Sequence, residues 1–393
     1  MKFHRILWLA LLLALIPAAA LGDTAEDITN SCDFVPSKVP VGRAAYMLDD
    51  DYTTFWYLTN PDGAYIDVSA PEGVEMGGVY IKWYREIPSW HIDVPNGDGW
   101  TTVAQKSDGY VVEYVELPAG TQSFRLCRAE DDTSIFKIAE MRVYGPGELP
   151  GDVQVWEPVA EKCDILVIST HPDDEVLYFG GTIPYYVAQG KTVQVVYMTT
   201  VTSYRKIELH DCLWLCGVRN YPILGPLTDK NLSSLQDLYA GYWPLETVQS
   251  FIVECIRRCK PEVVITHDLA GEYGHLEHVA TARNTVWAVT QTADPECFPE
   301  SAEEYGAWQV KKLYLHLYGQ NQIVMDWSEP LDFFGGETAL SMAEKGFEMH
   351  RSQYVNQYHS VKDYGDYDCR VFGLYYTEVG EDVLKNDFLE NIP

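Results

Sequence analysis

From Cys163 onward the chain alternates between two kinds of segment. "DILVIST" (164–170), "VQVVYMTT" (193–200), "EVVITHD" (262–268) and "KLYLHLYG" (312–319) are short apolar runs of strand type. Between them stand helical segments: one from Glu175 to Gln189, then "IELHDCLWLCG" (207–217), "LETVQSFIVECIRRC" (245–259) and "EHVATARNTVWAVTQ" (277–291). Alternation of this kind demands right-handed crossovers, which build an open, mainly parallel sheet covered by helices on both faces. Residues 162–360 are therefore predicted to form a Rossmann-like α/β unit, with 361–393 as a C-terminal extension.

The preceding part has a different grain. Between residues 32 and 145, segments such as "AYIDVSA", "GGVYIKWY", "QSFRLCRA" and "IAEMRVYG" are short strands set between Gly, Pro and Asp turns. That pattern predicts an all-β sandwich. Residues 146–161, with repeated Gly and Pro, read as a linker. Residues 1–22 read as a removable secretory signal: Lys2, His4 and Arg5 precede an apolar run from Ile6 to Leu15, and small residues follow Pro17. The expected location is extracellular or at the cell surface.

A net charge of −30 argues against nucleic acid or anionic lipid as partner. Nine cysteines is an odd number for an exported chain, so at least one stays free or pairs between chains. Cys32 and Cys127 are candidates to close one loop. The i, i+4 pairs Cys212/Cys216 and Cys255/Cys259 lack structural-zinc spacing and are expected to be buried. With 27 tyrosines and 11 tryptophans the chain is rich in rings. Trp83, Tyr84, Trp90 and Trp100 either fill the sandwich core or offer a sugar-stacking platform.

Chemistry concentrates where the first strand of the α/β unit ends. "HPDDE" (171–175) turns from strand into helix, the place where open α/β sheets bind ligands. A plain helix cap by Asp173 or Asp174 would also account for these residues. The second strand exit, "THDLAGEYGHLEH" (266–278), adds His267, Asp268, Glu272, His275 and His278 at the same edge of the sheet. Four of the ten histidines thus fall in two loops. Two histidines and a carboxylate with an open position form a catalytic zinc set. His171, Asp174 and His278 are the expected ligands, and Asp173 the neighbouring base.

These paired motifs resemble the PIG-L/LmbE family of zinc-dependent de-N-acetylases, over roughly residues 164–353. The resemblance implies zinc on His171, Asp174 and His278, with Asp173 as general base. It implies that His275 stabilises charge or protonates the leaving amine and that Tyr273 reaches the substrate carbonyl. It places Arg205 of "RKIELHDCLWLCGV" near substrate with Glu208 in support. It also puts His350 of "EKGFEMHRSQ", with Ser352 and Gln353, close to the site. The implied reaction removes acetyl from an N-acetylglucosamine-type sugar in a glycoconjugate. A glycan-binding or scaffold protein that keeps the fold without turnover is the alternative. Two features depart from the family. The loop "TTVTSYRKIE" has no glycine, and Leu276–Glu277 stands where Pro–Asp is frequent.

"GRAAYMLDDDYTTFWYLTN" (42–60) and "IAEMRVYG" resemble the start and end of a discoidin, or coagulation-factor type C, domain of the galactose-binding kind. In many relatives the Asp-rich turn and the late Glu hold calcium, which implies Asp49, Asp51, Thr54 and Glu140 as ligands. Three consecutive Asp also make an ordinary solvated turn. Trp90 and Trp100, with His350, are the expected sugar contacts.

Overall fold

The computed structural model describes residues 23–393 apart from 39, 42, 59–62, 85–86, 107–108, 131, 133, 201–202, 231, 355–359 and 362–364. The expected signal segment, 1–22, lies outside the described residues, as do positions 201–202 of the glycine-free loop. Among the described residues no helix is long and apolar enough to cross a membrane.

Two five-stranded sheets form the N-terminal half. One runs in the order Asp33–Pro36, Tyr65–Ser69, Ser123–Arg128, Trp90–Asn96, Gly99–Lys106. The other runs Pro40–Val41, Trp56–Leu58, Lys137–Tyr144, Gly78–Trp83, Val112–Glu116, and every pairing in both is antiparallel. Strand alternation sends Ile66, Val68, Phe124 and Leu126 of one sheet and Val79, Ile81, Ile138 and Val143 of the other into a shared core. Trp56, Trp83 and Trp90 complete it. The indole N–H groups of Trp83 and Trp90 both donate to the buried Glu113 carboxylate, at 3.1 and 2.8 Å.

That burial corrects the sugar-stacking expectation for Trp90, which is only 2% exposed. A ring that fills the space between two sheets has no face left for a ligand. Tyr84 is buried as well, against Phe55 and Tyr204, whereas Trp100 is exposed and stacks on the Arg125 guanidinium.

The second half is a seven-stranded sheet in the order Ile223–Thr228, Val193–Thr200, Ile165–Ser169, Val263–Thr266, Lys312–His316, Val371–Thr377, Gln322–Val324. The first five are parallel. Ile165 and Val167 face one apolar layer, with the Ser203–Leu215 and Ala339–Met349 helices, while Leu166 and Ile168 face the other, with the Leu245–Cys259 and Leu276–Gln291 helices. A strand buried on both faces must be apolar at every position, as "ILVIS" is.

Two local features differ from the sequence expectation. The single helix expected from Glu175 to Gln189 is two short ones, Asp174–Leu177 and Thr182–Ala188. Gly180 breaks it at φ +49°, where a Cβ would lie 2.3 Å from the Trp327 ring. The segment after residue 360, read as an extension, supplies the antiparallel strand Val371–Thr377 inside the sheet. Residues 146–161 lie against both halves, with Val153 and Ala160 buried.

All nine cysteines are free thiols. The Cys32–Cys127 bridge does not form: the Cys32 thiol turns to the Ile28 carbonyl, and Cys127 lies beside Asp93. Cys212, Cys216, Cys255 and Cys259 fill the two α/β core layers.

Candidate metal centre

Chain order reverses direction across the sheet between Ile165–Ser169 and Val263–Thr266, so the loops after these strands meet over a topological switch point. Asp173 occupies the helix N-cap position but makes no capping bond with its side chain. Its backbone is held at φ 121°, a conformation that persists only when surroundings impose it. In the second loop Gly271 adopts φ +70°, and a Cβ there would stand 2.5 Å from the His275 carbonyl. This close approach folds "GEYG" back so that the Leu276–Gln291 helix starts beside His171.

His171 Nδ1, Asp174 Oδ2 and His278 Nε2 converge. The edges of the triangle are 3.2 Å from His171 to Asp174, 3.2 Å from His171 to His278 and 3.3 Å from His278 to Asp174. Bonds of about 2.0–2.1 Å in a tetrahedral site place ligand atoms about 3.3–3.4 Å apart.

Outer carboxylates fix the histidine tautomers. His278 Nδ1 is 2.6 Å from Glu272 Oε2, and His171 Nε2 is 2.7 Å from Glu277 Oε2. Each outer nitrogen donates, so each inner nitrogen is the one that gives up its proton and turns a lone pair to a metal when one binds. Two lone pairs and an anionic oxygen pointing at one spot repel unless positive charge lies between them. The residues therefore fit a divalent cation.

The electrostatics carry the same demand in the ion-free protein. Burial pushes the His171 and His278 imidazoles down, yet the carboxylates around them overcome it and raise them to about 9 and about 10. Burial opposes the charge on Asp174, but His278 and His171 hold its carboxyl well below the usual range. Glu272 is a buried hub: His267, His278 and His316 all present Nδ1 to it, at 2.9, 2.6 and 2.7 Å. Those partners keep it ionised against its burial.

Asp173 stands beside the triangle. Its carboxylate accepts from Arg205 at 3.3 Å, and its backbone N–H donates to Glu175 Oε2 at 2.7 Å. Burial raises the Asp173 carboxyl to about 6, with the Arg205 charge opposing. The other Glu175 oxygen lies 2.6 Å from His350 Nε2. His350 is fully buried behind Asp173 and exposes no face to a sugar. Burial, with His278 and His171 nearby, pushes His275 down to about 3, and its buried Nδ1 has no hydrogen-bond partner among the described residues. Tyr273 is half-exposed at the rim, its ring 5.6 Å from that of His275. A cavity of about 170 Å³ lined by Lys230, Leu232, Tyr273 and His275 opens there.

Asp49, Asp51, Thr54 and Glu140 behave differently. Among the described residues they are absent from the groups of three carboxylate, imidazole or thiol ligands that lie within 4.8 Å of one another. Thr54 donates to Asp49, Thr53 to Asp51, and Glu140 accepts the Asp50 N–H.

Sequence reasoning placed Glu175 and Glu272 in the two motifs without a part in holding the ligands, and it missed Glu277 and His316. Glu277 stood in view only as a departure from Pro–Asp, and His316 ends a strand with no motif around it.

A family model described as "PIG-L: GlcNAc-PI de-N-acetylase" matches residues 166–289. The 1D-myo-inositol 2-acetamido-2-deoxy-alpha-D-glucopyranoside deacetylase of Acidothermus cellulolyticus is 32% identical over 33% of this chain and 54% of its own length. That of Catenulispora acidiphila is 28% identical over 42% and 58%. The chain thus spans little more than half the length of these relatives. Among solved structures, the N,N'-diacetylchitobiose deacetylase from Pyrococcus horikoshii is similar over 49% of this chain and 71% of its own, with TM-score 0.38 and 22% identity. The match to the family model, over residues that contain the metal cluster, identifies a PIG-L/LmbE-type deacetylase domain in this chain, with an all-β sandwich before it.

Proposed function

We propose that the chain is an exported zinc-dependent hydrolase that removes the acetyl group from an N-acetylglucosamine-type sugar in a glycoconjugate. One observation carries the reading: three inward-facing ligand atoms, His171 Nδ1, Asp174 Oδ2 and His278 Nε2, converge beside the Asp173 carboxylate, which stays outside the triangle and is held by Arg205. Two imidazoles and one carboxylate suit zinc. The acetylated sugar is supported by the names of the relatives, and export by the residues of the first segment.

Zinc, when bound, polarises the amide carbonyl and makes water acidic enough to attack near neutral pH. Asp173, raised to about 6, is ionised at pH 7 and still basic enough to take a proton from the attacking water. Arg205 steers it, donating to the Pro172 carbonyl and to the Asp173 carboxylate. His275 is neutral at pH 7, so it serves as an N–H donor to the developing oxyanion, with Tyr273 on the open side. The proton needed by the departing amine then comes back from Asp173.

The test is acetate release from chitooligosaccharides and from N-acetylglucosaminyl glycolipids by the zinc-loaded protein, with chelated protein as control. Release that depends on zinc supports the reading. Zinc uptake and glycan binding without acetate would identify the non-catalytic alternative.

A further inference from the structure

The Ser203–Leu215 helix faces two ways. Arg205 reaches Asp173 on one side, and Leu209 and Cys212 enter the α/β core. On the other side Tyr204, Ile207, Glu208 and Asp211, at helical spacing, meet the sandwich. Tyr84 packs edge-on against Tyr204, Ile207 joins the cluster of Tyr52, Tyr80 and Tyr84, and Lys82 pairs with Asp211 at 2.8 Å.

Glu208 is buried, and its oxygens accept three donors. Tyr52 O–H from the sandwich lies at 2.9 Å, Ser352 N–H at 2.9 Å and Ser352 Oγ–H at 2.6 Å. Ser352 sits two residues after His350, whose Nε2 holds Glu175, and Glu175 in turn takes the Asp173 N–H. The Arg351 guanidinium lies 5.4 Å from the centre of the Tyr52 ring. The hydrogen bonds of Asp49 and Asp51 within their own turn present Tyr52 to this contact.

We propose that the sandwich completes the active site through Tyr52, a positioning residue that fixes Glu208 and, through Ser352, His350 and Glu175, the strained backbone of Asp173. A conformation such as that of Asp173 needs support from several directions, and one of them comes from the other half of the chain. This inference rests on the reading of Asp173 as the base.

The test compares Tyr52→Phe with Lys82→Ala in the full-length, zinc-loaded protein. The first removes one hydroxyl from the relay, and the second breaks a contact of the same interface outside it. Tyr52→Phe is expected to lower kcat roughly tenfold, to leave KM and zinc content unchanged, and to speed amide exchange at Ser352. Lys82→Ala should keep kcat within about twofold of wild type, with Ser352 exchange unaltered. Equal losses in the two variants, or unchanged kcat and exchange in Tyr52→Phe, would overturn the proposal. If the wild-type protein releases no acetate, the deacetylase reading falls by itself, and Ser352 exchange still decides whether Tyr52 holds this segment.

Discussion

His278 donates its Nδ1–H to Glu272 Oε2 across 2.6 Å, and that bond decides which face of the imidazole is free for a metal. Glu272→Gln keeps the shape but removes the charge shared by three histidines. Zinc affinity should fall about 10- to 100-fold, as read by competition with a chelating dye. An unchanged Kd would show that the hub does not tune the site.

Asp173→Asn should keep zinc and lose turnover. The metal triangle does not use Asp173, and a general base contributes about 10²- to 10⁴-fold to rate. His171→Ala should lose both, because it removes one vertex. Metal analysis beside kcat separates the two, and full turnover in Asp173→Asn refutes the assigned base.

The base works deprotonated, so kcat/KM should fall as pH drops through the Asp173 pKa. Burial raises it to about 6 and Arg205 opposes the rise; a bound cation opposes it further, so the acid limb lies at or below about 6. Arg205→Met removes one opposing charge and should move the limb upward. A downward shift in that variant would contradict the assignment.

Metal uptake should release protons. In the ion-free protein His171 and His278 are raised to about 9 and about 10, above the ordinary 6.5. Their contribution to stability is therefore complete below pH 6.5 and lost as pH rises through those values. Zinc binding at pH 7 should expel about two protons, measured calorimetrically in buffers of different ionisation enthalpy. No proton release would mean that the ion does not contact these imidazoles.

Trp90 and Trp100 should separate cleanly in unfolding experiments. Trp90→Ala opens a cavity between the sheets and should cost about 3–5 kcal/mol. Trp100 is 43% exposed, and Trp100→Ala should change stability by about 1 kcal/mol or less. Similar losses would contradict the division between core and surface ring.

The residues proposed to carry the chemistry were legible because they stand in local motifs after two strands. "HPDDE" and "GHLEH" put His171, Asp173, Asp174, His275 and His278 in two loops at one edge of the sheet, and the family resemblance supplied the roles expected of them. Their support was not legible, because it is long-range: Glu272 gathers His316 from another strand, and Glu208 meets Tyr52 from the other half of the chain. Periodicity could show that Trp90 alternates with polar neighbours, yet not which face of the strand was covered. The Val371–Thr377 strand was hidden for a related reason. It enters the sheet antiparallel, without the helix that announces every parallel partner.

Zinc-edge anomalous diffraction from crystals of the zinc-loaded protein decides whether His171, Asp174 and His278 hold the metal. One peak per chain, about 2.0–2.1 Å from His171 Nδ1, Asp174 Oδ2 and His278 Nε2, is the expected result. A peak held by other side chains, or none at full zinc loading, would contradict it.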